Sequence, residues 1–313
     1  MRRYLIQKIL SLIPVLLGIS IIAFVLGVIS PGNPAELALS QGGYEPTPEQ
    51  IAEMERQMGL DKPYVVQYLH WIGHAITGDL GTSYASQHPV GQELARRLPV
   101  TLKLACCAML LACAGGIAMG CIAAAFQDRW PDQIIKSVIN IQLSLPSFWL
   151  ALLLILLFAE NLGWLPTSGN GGLKHMILPA VVLSSASAAT AARLTRSSLL
   201  AEFGKQYCTA AAARGISRWR LVARNALPNA IVPTVALLGN SLGGMLGGSV
   251  IIESIFALPG IGSFALDSIH NRDYPALQGY VLLAGVIYVA ITMLVDTVSM
   301  LLDPKVRLGG KRI

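Results

Sequence analysis

YCTAAAARGISRWRLVARNALPN, Tyr207 to Asn229, runs from an alanine tract through a single glycine into a basic, aromatic stretch and ends on a proline step. It lies between two apolar runs, near 176–198 and 229–252. Each is close to the ~20 residues that cross a bilayer as helix. A plain turn between two membrane helices needs neither the alanines nor the arginines. Ala210 to Ala213 would make a smooth helical turn that another backbone can approach closely, and Gly215 supplies a C-cap break. SRWRLVARNA then opens a second helix, with Ser217 as N-cap and Trp219 and Leu221 as apolar anchors. Its arginines are available to acidic groups or lipid phosphates, and Pro228 falls in the first turn of the next span. Two short helices bent at a glycine read as a plug for a groove on a partner.

Outward from this loop, the rest of the chain is mostly membrane. Of 313 residues, 54% are hydrophobic and 13% charged, with a mean hydropathy of +0.59. Soluble domains carry about a quarter charged residues. Apolar runs at roughly 9–29, 100–125, 136–159, 176–198, 229–252 and 276–301 account for the deficit. The expectation is an all-α membrane protein of six transmembrane helices. It divides into a first span over 1–29, a long outer segment over 30–99, and a core over 100–302 holding the loop 199–228. A basic tail follows over 303–313.

The net charge of +6 follows topology. With the N-terminus inside, most lysines and arginines flank inner segments, among them Arg2, Arg3, Lys8, Arg129, Arg214, Arg220 and Arg307, and most acids lie outside. This is the positive-inside pattern, so the basic balance marks no nucleic-acid partner, and both termini are expected to be cytoplasmic. The N-terminal apolar run is too long for a signal-peptide core and no small-residue cleavage site follows, so it reads as an uncleaved span with Pro14 as a candidate kink. Cys106, Cys107, Cys113 and Cys121 lie in the second span and Cys208 in the inner loop, which implies no disulfide framework.

Within the outer segment, TPEQIAEMERQMGL has Thr47 as N-cap, Pro48 in the first helical position, Gln50 for a capping box and Gly59 as stop. Ile51, Met54 and Met58 share a face of this short amphipathic helix. YVVQYLHWIGHAI reads as a second one. A later outer piece, ESIFALPGIGSFALDSIHNRDYP, cannot be a continuous helix at Leu258-Pro259-Gly260. Broken apolar backbone beside a membrane must be packed in protein or line a cavity, so Glu253, Pro259 and Gly260 are candidates for the outer mouth of a pathway. In the fifth span Gly239, Gly243 and Gly247 recur at four-residue spacing, beside Gly244 and Gly248. Such a face serves close helix packing or a small-residue pathway wall.

Enzymatic chemistry is not written in this chain. GKQ at Gly204 and GKR at Gly310 lack the rest of a phosphate loop, and neither HExxH nor GxSxG occurs. His70 and His74 share a helix face four residues apart, a metal-ligand spacing short of a third ligand. All five histidines fall on the expected outer side. Asp296, near the inner end of the last span, is placed to pair with Arg193 or Arg196. A self-contained proton- or ion-coupled carrier, the alternative reading, would show several buried acids at midplane, and this chain does not.

Thr209-Ala210-Ala211, then Gly215, then NALPNAIVP resemble the EAA motif of ATP-binding-cassette importer permeases, with Thr209 where the motif's glutamate would stand. The resemblance spans nearly the whole chain. RYLIQKILSLIPVLLGISIIAF, GLDKPYVVQYLHWI, GDLGTSYASQHPV, RRLPVTLKLA, SLPSFWLALLLILLF, WLPTSG, IIESIFALPGIG, NRDYP and LDPKVR are similar to the dipeptide/oligopeptide/nickel permease family. SYASQHPV with WLPTSGNGG leans toward its nickel-transport branch. The resemblance implies a type I importer fold in a bacterial inner membrane, with a paralogous permease, two cytoplasmic ATPases that hold ATP and magnesium, and an extracytoplasmic binding protein. No cofactor is expected on this chain itself. It also implies that Tyr207, Thr209, Ala210, Ala211, Gly215, Ser217, Arg218 and Arg220 form the coupling helices; Gly243, Gly244 and Gly247 stay path candidates on their spacing alone. The substrate would be nickel or a metal chelate, or a short peptide.

Overall fold

The computed structural model describes residues 2–29, 32–40 and 46–302; the expected basic tail lies outside them. In chain order the helices are α1 (Arg2–Ile29), α2 (Pro34–Ser40), α3 (Pro48–Met58), α4 (Tyr64–Ile76), α5 (Val90–Ala125), α6 (Trp130–Ser144) and α7 (Ser147–Leu154). A π-helical stretch, Ile155–Asn161, continues α7. Then come α8 (Leu173–Phe203), α9 (Gln206–Ala213), α10 (Arg218–Arg220) with a π-helical continuation Leu221–Ala226, α11 (Leu227–Ala230), α12 (Val232–Ile255), α13 (Ile261–His270) and α14 (Tyr274–Leu302). Among the described residues there is no strand, only one isolated bridge between Thr82 and Pro89.

Five of these helices are long and apolar enough to cross a membrane: α1, α5, α8, α12 and α14. The run expected as a third straight span is two helices, α6 and α7 with its continuation, meeting at 110°. It makes a sixth span only if the pair crosses as one unit. Pro146 is the physical cause. Its ring disfavours the helical conformation at the residue before it, and Leu145 is extended at φ −87°, ψ 130°. Pro14, Pro99 and Pro179 sit inside helices that run on through them.

The chain divides into two compact units, one of residues 1–101 and 259–290, the other of 102–258 and 291–313. In the first, α3 carries the capping box expected from its sequence. Thr47 Oγ1 accepts from the Gln50 N–H at 3.4 Å while Gln50 Oε1 accepts from the Thr47 N–H at 2.9 Å. Gly59, at φ +68°, ends it in the left-handed conformation that glycine adopts without strain. α4 lies on α1 through Phe24, Tyr68 and Trp71, and Tyr68 OH meets Ser20 Oγ at 2.8 Å. Val90, Leu94, Ile261, Phe264 and Ala276 form the core, joining α5, α13 and α14.

The second unit is built on α8. Over half of its apolar window, 56%, is buried, against 33% or less for the other four spanning helices. Small residues make this possible. A Cβ on Gly116 would come 2.8 Å from the Ala188 carbonyl oxygen, and one on Gly120 2.6 Å from Thr195 Cβ, so α5 lies backbone to backbone on α8. Thr195 and Thr234, both fully buried, share a hydrogen bond of 3.1 Å that ties α8 to the start of α12.

Candidate functional site

The turn from α9 to α10 has one face sunk in the second unit and one face free. Cys208 and Ala211, three residues apart, pack with Leu221, Val222, Ala226 and Ala230 on Cys121, Ala124 and Leu199. Thr209, Ala210, Ala213 and Arg214 face outward. Gly215 turns the chain at φ +78°, and the Ile216 N–H reaches back to the Ala211 carbonyl at 3.3 Å, closing the helix end. Ser217 occupies the N-cap position with extended backbone, and its side chain makes no capping hydrogen bond.

One expectation for this turn changes. Trp219 and Leu221 do not anchor together: Leu221 is 8% exposed and Trp219 56%. Residues two apart on a helix point to opposite sides, so only one could go in. Arg218 is exposed and is also tied to the end of α5. It donates to the Ala124 carbonyl at 3.4 Å and to Gln127 Oε1 at 3.2 Å, and lies over the Phe203 ring. The carbonyl-rich C-terminus of α5 is a favourable seat for a cation. Arg214, Arg220 and Arg224 remain outward.

Sequence reading missed two polar clusters, one that holds the turn and one that ties α6 to α8. Glu202, at the end of α8, accepts from Lys205 Nζ and Tyr207 OH, both at 2.5 Å, and Asn229 Nδ2 donates to Tyr207 OH at 3.2 Å. Desolvation, then the bond to Glu202, pushes the Tyr207 pKa up to about 12. Nearer the middle of α8, Arg196 forms a bidentate pair with the fully buried Asp132 at 2.7 and 2.8 Å, with Lys136 at 3.3 Å. Asp132 lies 64 residues from Arg196, and no short-range pattern shows it. The side chain of Asp296 lies outside the described ones.

The pathway candidates divide. Gly239 packs against α14, where a Cβ would come 2.6 Å from Val295 Cγ1, and Gly243 is buried. Gly244 and Gly247 have open space beside them. Glu253 is fully buried, as are Phe256 and Leu258 at 1% exposure, and the Phe256 carbonyl accepts from the Gly169 N–H at 2.9 Å. In the other unit Pro259 is exposed, Gly260 is buried, and Thr101 Oγ1 accepts from the Ile261 N–H at 2.9 Å at the start of α13. Also in that unit, Asp273 accepts from Ser83 Oγ at 2.5 Å and from the Ala85 N–H at 3.2 Å, which joins the GDLGTSY and NRDYP stretches. Burial, then the nearby Asp273 charge, raises the Tyr84 pKa to about 12. The His70 and His74 rings lie tilted at 53° with centroids 4.6 Å apart, and His74 Nδ1 lies 3.3 Å from Asp79 Oδ2. Among the described residues no group of three metal-ligating side chains is placed to hold an ion.

Long apolar helices, with an anchored turn exposing small and basic residues, mark a membrane-embedded chain. Comparison with known proteins defines it further. Residues 116–308 match the family described as binding-protein-dependent transport system inner membrane component, and residues 1–105 match the N-terminal family of such membrane components. The chain is 38% identical to the glutathione transport system permease protein GsiC of Salmonella typhi, over 98% of this chain and 99% of that protein. The same figures hold for GsiC of Escherichia coli (strain K12). Its fold is similar to that in the inward-facing MetNI methionine ABC transporter, with TM-score 0.57 and 19% identity over 67% of this chain and 96% of the other. The chain belongs to the family of binding-protein-dependent transport system inner membrane components: it is an ABC importer permease, a transport component and not an enzyme.

Proposed function

We propose that the chain is one of two paralogous permease subunits of an ATP-driven importer of short peptides. It works with two cytoplasmic ATPases that carry ATP and magnesium and with an extracytoplasmic binding protein that delivers substrate. The α9–Gly215–α10 turn is the ATPase-docking surface, and with the α6–α7 pair crossing as one span both chain termini share its cytoplasmic side. The observation that carries this is the turn's two-sidedness. Cys208, Ala211 and Leu221 root it in the core under α8, while Thr209, Ala210, Ala213, Trp219 and Arg220 are offered outward. A partner pressing on that outer face moves α8 through the Glu202–Tyr207–Asn229 bonds. Nucleotide below and loaded binding protein above then bias two states of one bundle. The peptide class rests on the near full-length similarity to permeases named for glutathione transport.

The test is energised uptake in cells with and without the chain, using labelled glutathione and a labelled dipeptide against labelled nickel. Peptide uptake that needs the chain and is unaffected by nickel is expected. Chain-dependent nickel uptake that resists excess peptide would replace the peptide reading with the metal one and give His70 and His74 a role in it. ATP-independent transport by the purified chain alone in liposomes would return the protein to the self-contained carriers.

A further inference from the structure

Between α8 and α12, inside the second unit, lies an open cleft of about 520 Å³ whose rim includes Ser187, Thr190, Asn240 and Ser241. Thr190, Asn240 and Ser241 sit well inside helices that span a membrane by length and composition. Asn240 is exposed on α12, and Gly244, one turn on along the same face, has nothing within 4 Å. An amide cannot face hydrocarbon without losing its hydrogen bonds, so this face requires water, a polar solute or protein.

The chemistry of the cleft is specific. Thr190 Oγ1 donates to the Ala186 carbonyl at 2.8 Å and Ser241 Oγ to the Leu237 carbonyl at 2.9 Å. Each hydroxyl has thereby used its proton and presents an acceptor. Asn240 offers both donors and an acceptor. No carboxylate, imidazole or thiol lines the cleft. The first charge along that face of α8 is Arg193, one turn on from Thr190, exposed and donating to Asn140 Oδ1 at 3.1 Å.

We infer that this cleft is a solute-contacting segment of the translocation path, selective for amide-bearing solutes that are zwitterionic or anionic and unsuited to a bare divalent cation. The inference rests on the importer reading above and names the side chains that meet the solute. Neutral hydrogen-bonding groups match peptide N–H and C=O groups in any sequence. Arg193 suits a terminal carboxylate and repels a free metal ion.

The test uses the full importer complex, its binding protein and ATPases included, with this chain's five cysteines replaced by alanine. Single cysteines then go in at Asn240, at Ser187 and, as a lipid-side control, at Leu110, which is 70% exposed on α5. A charged, membrane-impermeant methanethiosulfonate should label Asn240→Cys and Ser187→Cys at least tenfold faster than Leu110→Cys, and glutathione in excess should slow the first two. Equal, slow labelling at all three positions overturns the assignment, whether or not the complex transports. In the native background Asn240→Leu should cut glutathione uptake at least tenfold at unchanged membrane level, and Asn240→Gln should retain most of it. Unchanged uptake in Asn240→Leu, or wild-type transport of free nickel in preference to glutathione, overturns the selectivity. Failure of the importer reading shows differently, as wild-type complex with no ATP-driven uptake of any probe.

Discussion

Gly215 bends the α9–α10 turn at φ +78°, and a Cβ added there would meet nothing within 4 Å, so a side chain is opposed by backbone conformation and not by crowding. A left-handed residue other than glycine costs about 1–2 kcal/mol, more for a β-branched one. Gly215→Val should therefore insert and fold, yet present the turn wrongly. ATP hydrolysis by the assembled complex is expected to persist while uptake falls at least tenfold; full uptake would remove the coupling role from this glycine. Gly215→Asn, which tolerates that backbone better, should retain more transport than valine. Asp132 calls for a different argument, because its carboxylate is fully buried against Arg196 and Lys136. Removing one partner of such a pair costs about 3–5 kcal/mol, since the other charge is left uncompensated. Asp132→Ala should lower the thermal stability and membrane level of the chain, and the double variant Asp132→Ala, Arg196→Leu should recover part of the loss. A double variant no better than the single would mean that the pair is not the cause.

At the scale of elements, the close approaches are not all where glycine spacing in the sequence suggests. The fifth apolar run holds the conspicuous repeat, but Gly244 and Gly247 face open space. Backbone-to-backbone contact occurs in the second run, where Gly116 and Gly120 lie on Ala188, Ala191, Ala192 and Thr195. Gly120→Val should separate α5 from α8 and reduce the amount of folded chain severalfold, whereas Gly244→Ala should be tolerated for folding. Quantifying both variants in detergent-resistant, correctly assembled form decides the matter, and equal levels would mean that α5 and α8 can part without loss. Spacing alone could not separate these sites, because four-residue recurrence identifies a small face and says nothing of what lies opposite it. The break at Pro146 and its 110° bend were not read from the sequence, where 136–159 passed as one apolar run; a proline ends a helix without choosing the direction of the next.

For the whole molecule, the proposed coupling predicts that transport and ATP hydrolysis stay linked through the rooted face of the α9–α10 turn. Tyr207→Phe keeps the ring and removes the hydroxyl that joins Glu202 to Asn229. It should raise the ATP hydrolysed per solute imported by a few-fold, with docking itself intact. An unchanged ratio would leave these bonds a purely local role. The chain's apolar runs, the capping box of α3 and the glycine break between α9 and α10 were all readable from the residues. Each depends on neighbours within one or two helical turns or on bulk transfer into a membrane. Only tertiary structure decided that Arg218 is tied to the end of α5, that Trp219 is free, that Asp132 finds Arg196 and that Asp273 joins two distant loops. It alone placed Asn240 across a cleft from Thr190. Those partners lie tens to hundreds of residues apart, and which side of a helix meets which neighbour is set by packing of the bundle, a property no local stretch carries.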